Sequence, residues 1–341
     1  MRVAHLRARL ADQGAKPGHI EALLRSWAHA RPLEGFEPAQ APPKAVRGAL
    51  PGLTFELQSL ACVRAEHPSE DGSSRRLVAF ADGQTVESVL LPRGGVCVST
   101  QIGCAVGCTF CMTGQGGLLR QLGSAEIVAQ VVLARQRQAV KKVVFMGMGE
   151  PAHNLDNVLE AIELLGTAGG IGHKNLVFST VGDRRAFERL PQGRVKPALA
   201  LSLHSTKAEL RERLLPRAPR IEPQELVELA DDYCRATGYP IQYQWTLLEG
   251  VNDGDDELDG MVRLLKGKYA VMNLIPYNEI DGADFKRPSA ERAAAMSLHL
   301  YRHGILAKLR QSAGQDVAGG CGQLRARTCA GASSSESGAA T

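Results

Sequence analysis

The sequence predicts an α/β fold built around a parallel sheet, and three observations carry that prediction. From Val96 onward, apolar runs of strand length alternate with helical stretches (VCVSTQ, KKVVFMG, NLVFST, PALALSLH, PIQYQWTLL, AVMNLIPY and GILAKLRQ), the signature of repeated βα units. The 341 residues are 44% hydrophobic, enough for one large core and a small appended region. No run approaches the roughly 20 consecutive apolar residues that a bilayer span requires.

Four segments follow in order. Residues 1–50 are predicted to be a helical accessory module and linker: Leu6, Leu10, Ile20, Leu23, Leu24 and Trp27 recur with helical spacing, and Pro38–Pro51 is rich in Pro and Ala. Residues 51–95 read as a short antiparallel β lead-in. LTFELQSLACVRAE and RLVAFADGQTVESVLL both suggest strands, the second broken by an Asp82-Gly83 turn between alternating residues. Residues 96–325 hold the βα repeats and a C-terminal loop that carries Cys321. Residues 326–341 are small, polar and aperiodic, and are expected to be disordered.

The bulk properties narrow the function without choosing it. Forty basic residues against 36 acidic give a formal net charge of +4, which permits a nucleic-acid partner but does not announce one. The first residues, MRVAHLRARLADQG, have no apolar run of the secretory kind, so the expectation is a cytoplasmic protein with no membrane association. Eight cysteines are too few for a disulfide scaffold in a chain of this size; Cys104, Cys108 and Cys111 crowd into one loop, which favours metal or redox chemistry.

That spacing, C-x3-C-x2-C directly after an apolar strand, suits three thiolates wrapped around one 4Fe-4S cluster. Three ligands leave one iron open to the amino and carboxylate groups of S-adenosylmethionine (SAM), and an electron passed through it can split the sulfonium to a 5′-deoxyadenosyl radical. A structural zinc knuckle would need a fourth closed ligand, usually from a second cysteine pair, and no such pair follows.

In parallel βα folds the functional face gathers at the C-terminal strand ends. Here those ends carry Gly147, Gly149, Glu150 and Pro151, then Ser179 and Thr180, then Ser202 and His204, then Asn278. Any single Ser or Asn reads as an ordinary cap or turn; the recurrence suggests donors and acceptors for the amino, carboxylate and ribose groups of SAM. Cys62, Cys234 and Cys329 read as structural cysteines.

With C-x3-C-x2-C, GMGEP, SLH, GVND, IPYN and CGQL in order between about Leu53 and Leu324, the chain resembles the RlmN/Cfr family of radical SAM RNA adenine methyltransferases. The triad and GEP mark radical SAM enzymes in general, whereas Cys97 ahead of the triad, together with CGQL, is particular to that family. The resemblance implies a partial (β/α)6 radical SAM barrel, with SAM contacted at Gly149, Glu150, Ser179, Ser202, Leu203, His204 and Asn278. It also implies a two-cysteine mechanism. Cys321 matches a cysteine that is methylated by a first SAM. A 5′-deoxyadenosyl radical from a second SAM takes a hydrogen atom from that methyl group, and the carbon radical adds to the adenine ring. Cys97 matches the partner that resolves the adduct by forming a disulfide with Cys321, and Glu87 matches the proton acceptor.

A radical route fits the target, because carbon 2 of adenine is not nucleophilic, and a base that must reach a buried cluster is more easily drawn from a loop or single strand than from a duplex. The implied partners are RNA, by default carbon 2 of an adenine in 23S ribosomal RNA with tRNA as a second substrate, and a flavodoxin- or ferredoxin-type electron donor, acting on a monomer. Arg75, Arg76, Lys141, Lys142, Arg184 and Arg185 are candidate phosphate contacts. The chain departs from the family pattern at Gln244 and Trp245, in SLHS for SLHA, and in AGQDVAGGCGQL, which bears on the RNA target. Two alternatives stay open at this point: an enzyme of the same fold acting on another RNA or on a non-RNA substrate, and a non-catalytic iron-sulfur RNA-binding protein.

Overall fold

A computed structural model describes residues 1–34 and 41–326. The helical expectation for the N-terminus is met by α1 (Val3–Asp12) and α2 (Pro17–Ala28), whose apolar stripes pack inward. Two expectations fail in the next segment. Where a linker and then a strand were predicted, α3 spans Lys44–Ser59. The buried residues Val46, Leu50, Leu53 and Leu57 form a helical stripe, and their packing holds the helix despite Pro51 inside it and despite the strand-like alternation of LTFELQ. The predicted linker's residues 38–40 and the predicted tail from residue 327 lie outside the described residues.

The lead-in strands are β1 (Ala61–Pro68), β2 (Ser74–Phe80) and β3 (Thr85–Leu91), an antiparallel meander with its second turn at Asp82-Gly83 as predicted. β4 (Gly95–Cys97) pairs antiparallel with β3 on one side and parallel with β7 (Lys142–Phe145) on the other, so lead-in and parallel sheet are continuous. A separate two-stranded sheet, β5 (Gln101–Gly103) with β6 (Leu118–Gln121), frames the cysteine loop. Then follow α4 (Ser124–Arg135), β7, α5 (Leu155–Gly166), β8 (Leu176–Thr180), α6 (Arg184–Arg189), β9 (Ala198–Ser202), α7 (Ala208–Leu214), α8 (Pro223–Thr237), β10 (Ile241–Leu247), α9 (Asp255–Leu265), β11 (Ala270–Pro276), α10 (Ala290–Arg302) and β12 (Leu306–Leu309). The ten-stranded sheet has the order β1-β2-β3-β4-β7-β8-β9-β10-β11-β12, parallel from β4 onward.

Alternation along the strands separates two faces. Phe145, Phe178, Leu199, Leu201, Tyr243, Trp245, Met272 and Leu274 face the helices and join one continuous core with α1–α3, so the N-terminal helices pack into the body of the molecule. The other face carries small apolar residues, Val144, Val177, Ala198 and Ala200, with Cys97 and Met146 against them. Small side chains there leave room for a ligand inside the curve of the sheet. The N-terminus is anchored as well: Val3 N–H donates to Ser124 Oγ at 2.7 Å, and both Ser124 and Arg2 hold Glu160 at 2.5 Å.

Candidate active site

The cysteine loop enters from β5 at Gly103, whose backbone has φ +76° and whose missing Cβ would lie 2.0 Å from the Gly117 carbonyl, so only glycine lets the loop turn there. Cys104, Cys108 and Cys111 then sit in an apolar nest of Val106, Phe110, Val181, Leu210, Leu214, Leu215, Leu248 and Tyr277. Burial pushes the Cys104 thiol up to about 12, and pushes Cys108 and Cys111 up as well. At Cys108 the neighbouring Cys111, Cys104 and Glu150 charges add to the effect. Three thiolates this close and this dry ionise only against bound positive charge, the condition that a metal cluster supplies. Among the described residues no three His, Cys, Asp or Glu side chains converge on a single-ion site. A 4Fe-4S cluster does not ask for that, since each thiolate takes its own iron and the cysteines need only ring a shared space. They do so: all three line one cavity of about 160 Å³ together with Gly149, Glu150, Ser179, Ser202 and His204. The donor set and the cradle fit the cluster.

The strand-end residues meet at this cavity because each closes a neighbouring parallel strand. Gly149 has φ +102°, and a Cβ would strike Gln101 Cβ at 2.6 Å. Glu150 is almost fully buried, with Oε1 accepting from Ala152 N–H at 3.1 Å and Oε2 from Val181 N–H at 3.0 Å. It therefore ties the loop after β7 to the end of β8; burial raises its carboxyl to about 7 against the lowering effect of these donors and of Thr180. His204 occupies the left-handed backbone region, φ +59°, a conformation that costs a non-glycine residue on the order of 1 kcal/mol or more and that the surrounding contacts enforce. Its Nδ1 accepts from Thr246 N–H at 3.0 Å, its carbonyl accepts from Asn252 Nδ2 at 2.8 Å, and its ring meets Phe110 edge-on at 4.9 Å. Burial, then the Arg211 charge, lowers its pKa to about 3, so it is a neutral imidazole with the Nε2 proton available as a donor. Leu203 is fully buried, and its N–H donates to the Gln244 carbonyl at 3.1 Å.

A second cavity of about 340 Å³ shares Cys111, Thr113, Met146, Gly147, Gln244, Ile275, Cys321 and Gly322 with the first and adds Cys97. Cys97 and Cys321 thus come together at one space although 224 residues separate them, and both thiols are free. Burial and the Cys321 charge push Cys97 up to about 12, and burial raises Cys321 too. The Cys321 loop is pinned to the cysteine loop: Met112 N–H donates to the Gly322 carbonyl and Thr113 Oγ1 to the Leu324 carbonyl, both at 2.7 Å.

Two predicted site residues have additional work. Asn278 donates through Nδ2 to Ser312 Oγ at 2.9 Å and to the Cys321 carbonyl at 3.0 Å, while its Oδ1 accepts from Arg287 at 3.0 Å; it holds the Cys321 loop and lines neither cavity. Glu87 is ion-paired with Arg75, and its other oxygen accepts from Arg325 N–H at 2.8 Å. It shares a sheet face with Val89 and Cys97, which are cross-strand partners.

Sequence reasoning missed Arg211, Gln101 and the position of Gln244. Arg211 is buried on α7, donates to the Val181 and Ser202 carbonyls, and feels the charges of Cys108 and Glu150, which offset part of the desolvation that lowers it to about 10. In sequence it is one arginine of an amphipathic helix, and nothing marks it. Gln101 accepts from Glu150 N–H at 2.7 Å through Oε1 and donates to Gln121 at 2.9 Å.

Residues 98–265 match the model of the radical SAM superfamily. A probable RNA methyltransferase of Methylibium petroleiphilum is 72% identical over 97% of this chain and 95% of its own length, and one of Pseudomonas aeruginosa is 65% identical over 97% of each. Among solved structures, a radical SAM methyltransferase from Sphaerobacter thermophilus is 35% identical, with a TM-score of 0.84 over 96% of this chain and 98% of that one.

Proposed function

Because the chain belongs to the radical SAM superfamily and, within it, to the family of these probable RNA methyltransferases, we propose that it methylates an adenine of RNA by way of Cys321, with carbon 2 in 23S ribosomal RNA as the first target and tRNA as a second. The observation that carries this reading is the placement of Cys97 and Cys321 at one cavity that opens onto the space ringed by Cys104, Cys108 and Cys111. A 4Fe-4S cluster would be held by Cys104, Cys108 and Cys111, and with SAM bound it would supply the methyl group and the radical chemistry. The protein's part is positional. Gly149, Glu150, Ser179, Ser202 and His204 line the SAM side, with Leu203 packed into the core between the last two, and neutral His204 offers a hydrogen bond without adding charge. Asn278 and Thr113 fix the loop that brings Cys321 to the shared wall.

Cys97 stands ready to take the sulfur of Cys321 in a disulfide once the methylated base is to be freed, and Glu87, held by Arg75 on the same sheet face, is the proton acceptor. Gln244, one of the residues that depart from the family pattern, lines both cavities and can read the entering base. A flavodoxin- or ferredoxin-type protein supplies the electron. Among the described residues no helix is long and apolar enough to cross a membrane.

The test compares nucleosides from digested ribosomal and transfer RNA of cells lacking the gene with those of cells expressing wild type or Cys321→Ala. Restoration of 2-methyladenosine by wild type alone supports the proposal. No change in either 2-methyladenosine or 8-methyladenosine overturns it.

A further inference from the structure

Of the six cations that the sequence offers as phosphate contacts, four are already neutralised: Arg75 by Glu87, Arg76 by Glu66, Arg184 by Glu225 and Arg185 by Asp183. Lys142 is different. It begins β7, lines the cavity of Cys97 and Cys321, and everything that shifts it pushes its pKa down: desolvation first, then the charges of Arg310 and Lys308, with no carboxylate in opposition. Arg310, just after β12, lines the same cavity. Its Nε donates to Asn273 Oδ1 at 2.8 Å, which orients the guanidinium and leaves its terminal nitrogens without a partner among the described residues. Two cations therefore line one cavity that has no acidic side chain in its wall, and Lys308 lies near enough to add its charge against Lys142. Such an arrangement is uphill in the free protein and is relieved by an anion.

The cavity's size indicates which anion. About 340 Å³ is near the lower end of ligand pockets, room for one nucleoside and not for a duplex. A base drawn into it leaves its flanking phosphates at the mouth. We propose that Lys142 and Arg310, with Lys308 beside them, form a phosphate-binding rim that takes the phosphodiesters flanking the adenosine whose base enters toward Cys321. This rests on the RNA reading above and adds to it the residues that position the strand. The rim is a binding device and makes no contact with the reacting carbon.

The experiment measures binding of a fluorescent single-stranded oligoadenylate to the cluster-loaded full chain between 50 and 200 mM salt, for wild type, Lys142→Gln/Arg310→Gln and Lys142→Arg/Arg310→Lys. Removing two phosphate-binding cations from a single-strand site lowers the log–log salt slope by about 1.4, so the wild-type advantage over the glutamine pair is expected to shrink about sevenfold across that range. The charge-retaining pair is expected to keep the wild-type slope. A wild-type slope in the glutamine pair, or an equal weakening in both pairs, overturns the rim. A wild-type protein that shows no salt-dependent binding to the oligoadenylate overturns the RNA reading and the rim with it.

Discussion

At the scale of single residues, the site runs on buried groups whose charge state is set by their surroundings. Arg211 is a buried cation that feels the charges of Cys108 and Glu150 and donates to the Val181 carbonyl, so replacing it by Met removes a positive charge and a donor from the surroundings of the cysteine loop. The expected outcome for Arg211→Met is loss of reconstituted iron, read by absorbance and iron content, with Arg211→Lys intermediate. His204 makes a pH prediction. Its folded pKa of about 3 lies below the unfolded 6.5, so between those values the unfolded chain binds the extra proton, and stability falls as the pH drops through that window. In urea unfolding of the cluster-free protein, His204→Gln is expected to flatten the acid limb between pH 6.5 and 3 by an amount on the order of a few kcal/mol; an unchanged limb would show that His204 is not held neutral. Neither Arg211 nor the neutrality of His204 was legible in the sequence, because burial and charge neighbours come from elements far apart in the chain, β9, α7 and the cysteine loop.

At the scale of elements, the strands were legible because both faces speak: Leu199 and Leu201 pack on the helices while Ala198 and Ala200 line the interior, so β9 reads as an unbroken apolar run. The loop after β7 reads in the sequence as a candidate site through Gly149, and its geometry gives that glycine a physical reason. A side chain there meets Gln101 and a positive φ together, so Gly149→Ala must displace Glu150 and the ties it makes to Ala152 and Val181. SAM affinity, measured by equilibrium dialysis on the cluster-loaded protein, is expected to fall at least tenfold, while β7 and the fold persist. Helix α3 was misread. LTFELQ alternates like a strand and the preceding Pro-rich stretch resembles a linker, but Val46, Leu50, Leu53 and Leu57 find a ready apolar surface, and tertiary packing outweighs local pattern. Leu53→Ala is expected to cost about 2–4 kcal/mol in denaturant unfolding through the cavity it leaves.

At the scale of the molecule, one ten-stranded sheet and the two-stranded sheet beside it position the two halves of the proposed reaction. The ends of the parallel strands carry the proposed SAM residues, and the separate β5–β6 pair holds the cysteine loop; β3 and β4, where antiparallel and parallel parts join, carry Glu87 and Cys97; the loop after β12 returns to place Cys321 against the triad loop. Met1 packs against Gly123, and Leu324, near the last of the described residues, accepts from Thr113. Motif spacing revealed the cysteines, but the meeting of Cys97 with Cys321 depends on the closure of the last loop, which no local pattern encodes. That meeting is the central claim, and the most direct test follows the methyl group. With isotopically labelled SAM, reductant and RNA, label is expected first on the peptide containing Cys321 and afterwards in methyladenosine, with Cys97→Ala arresting the protein as a covalent adduct with RNA. Label that reaches adenine in the Cys321→Ala protein, or that never appears on Cys321, would contradict it.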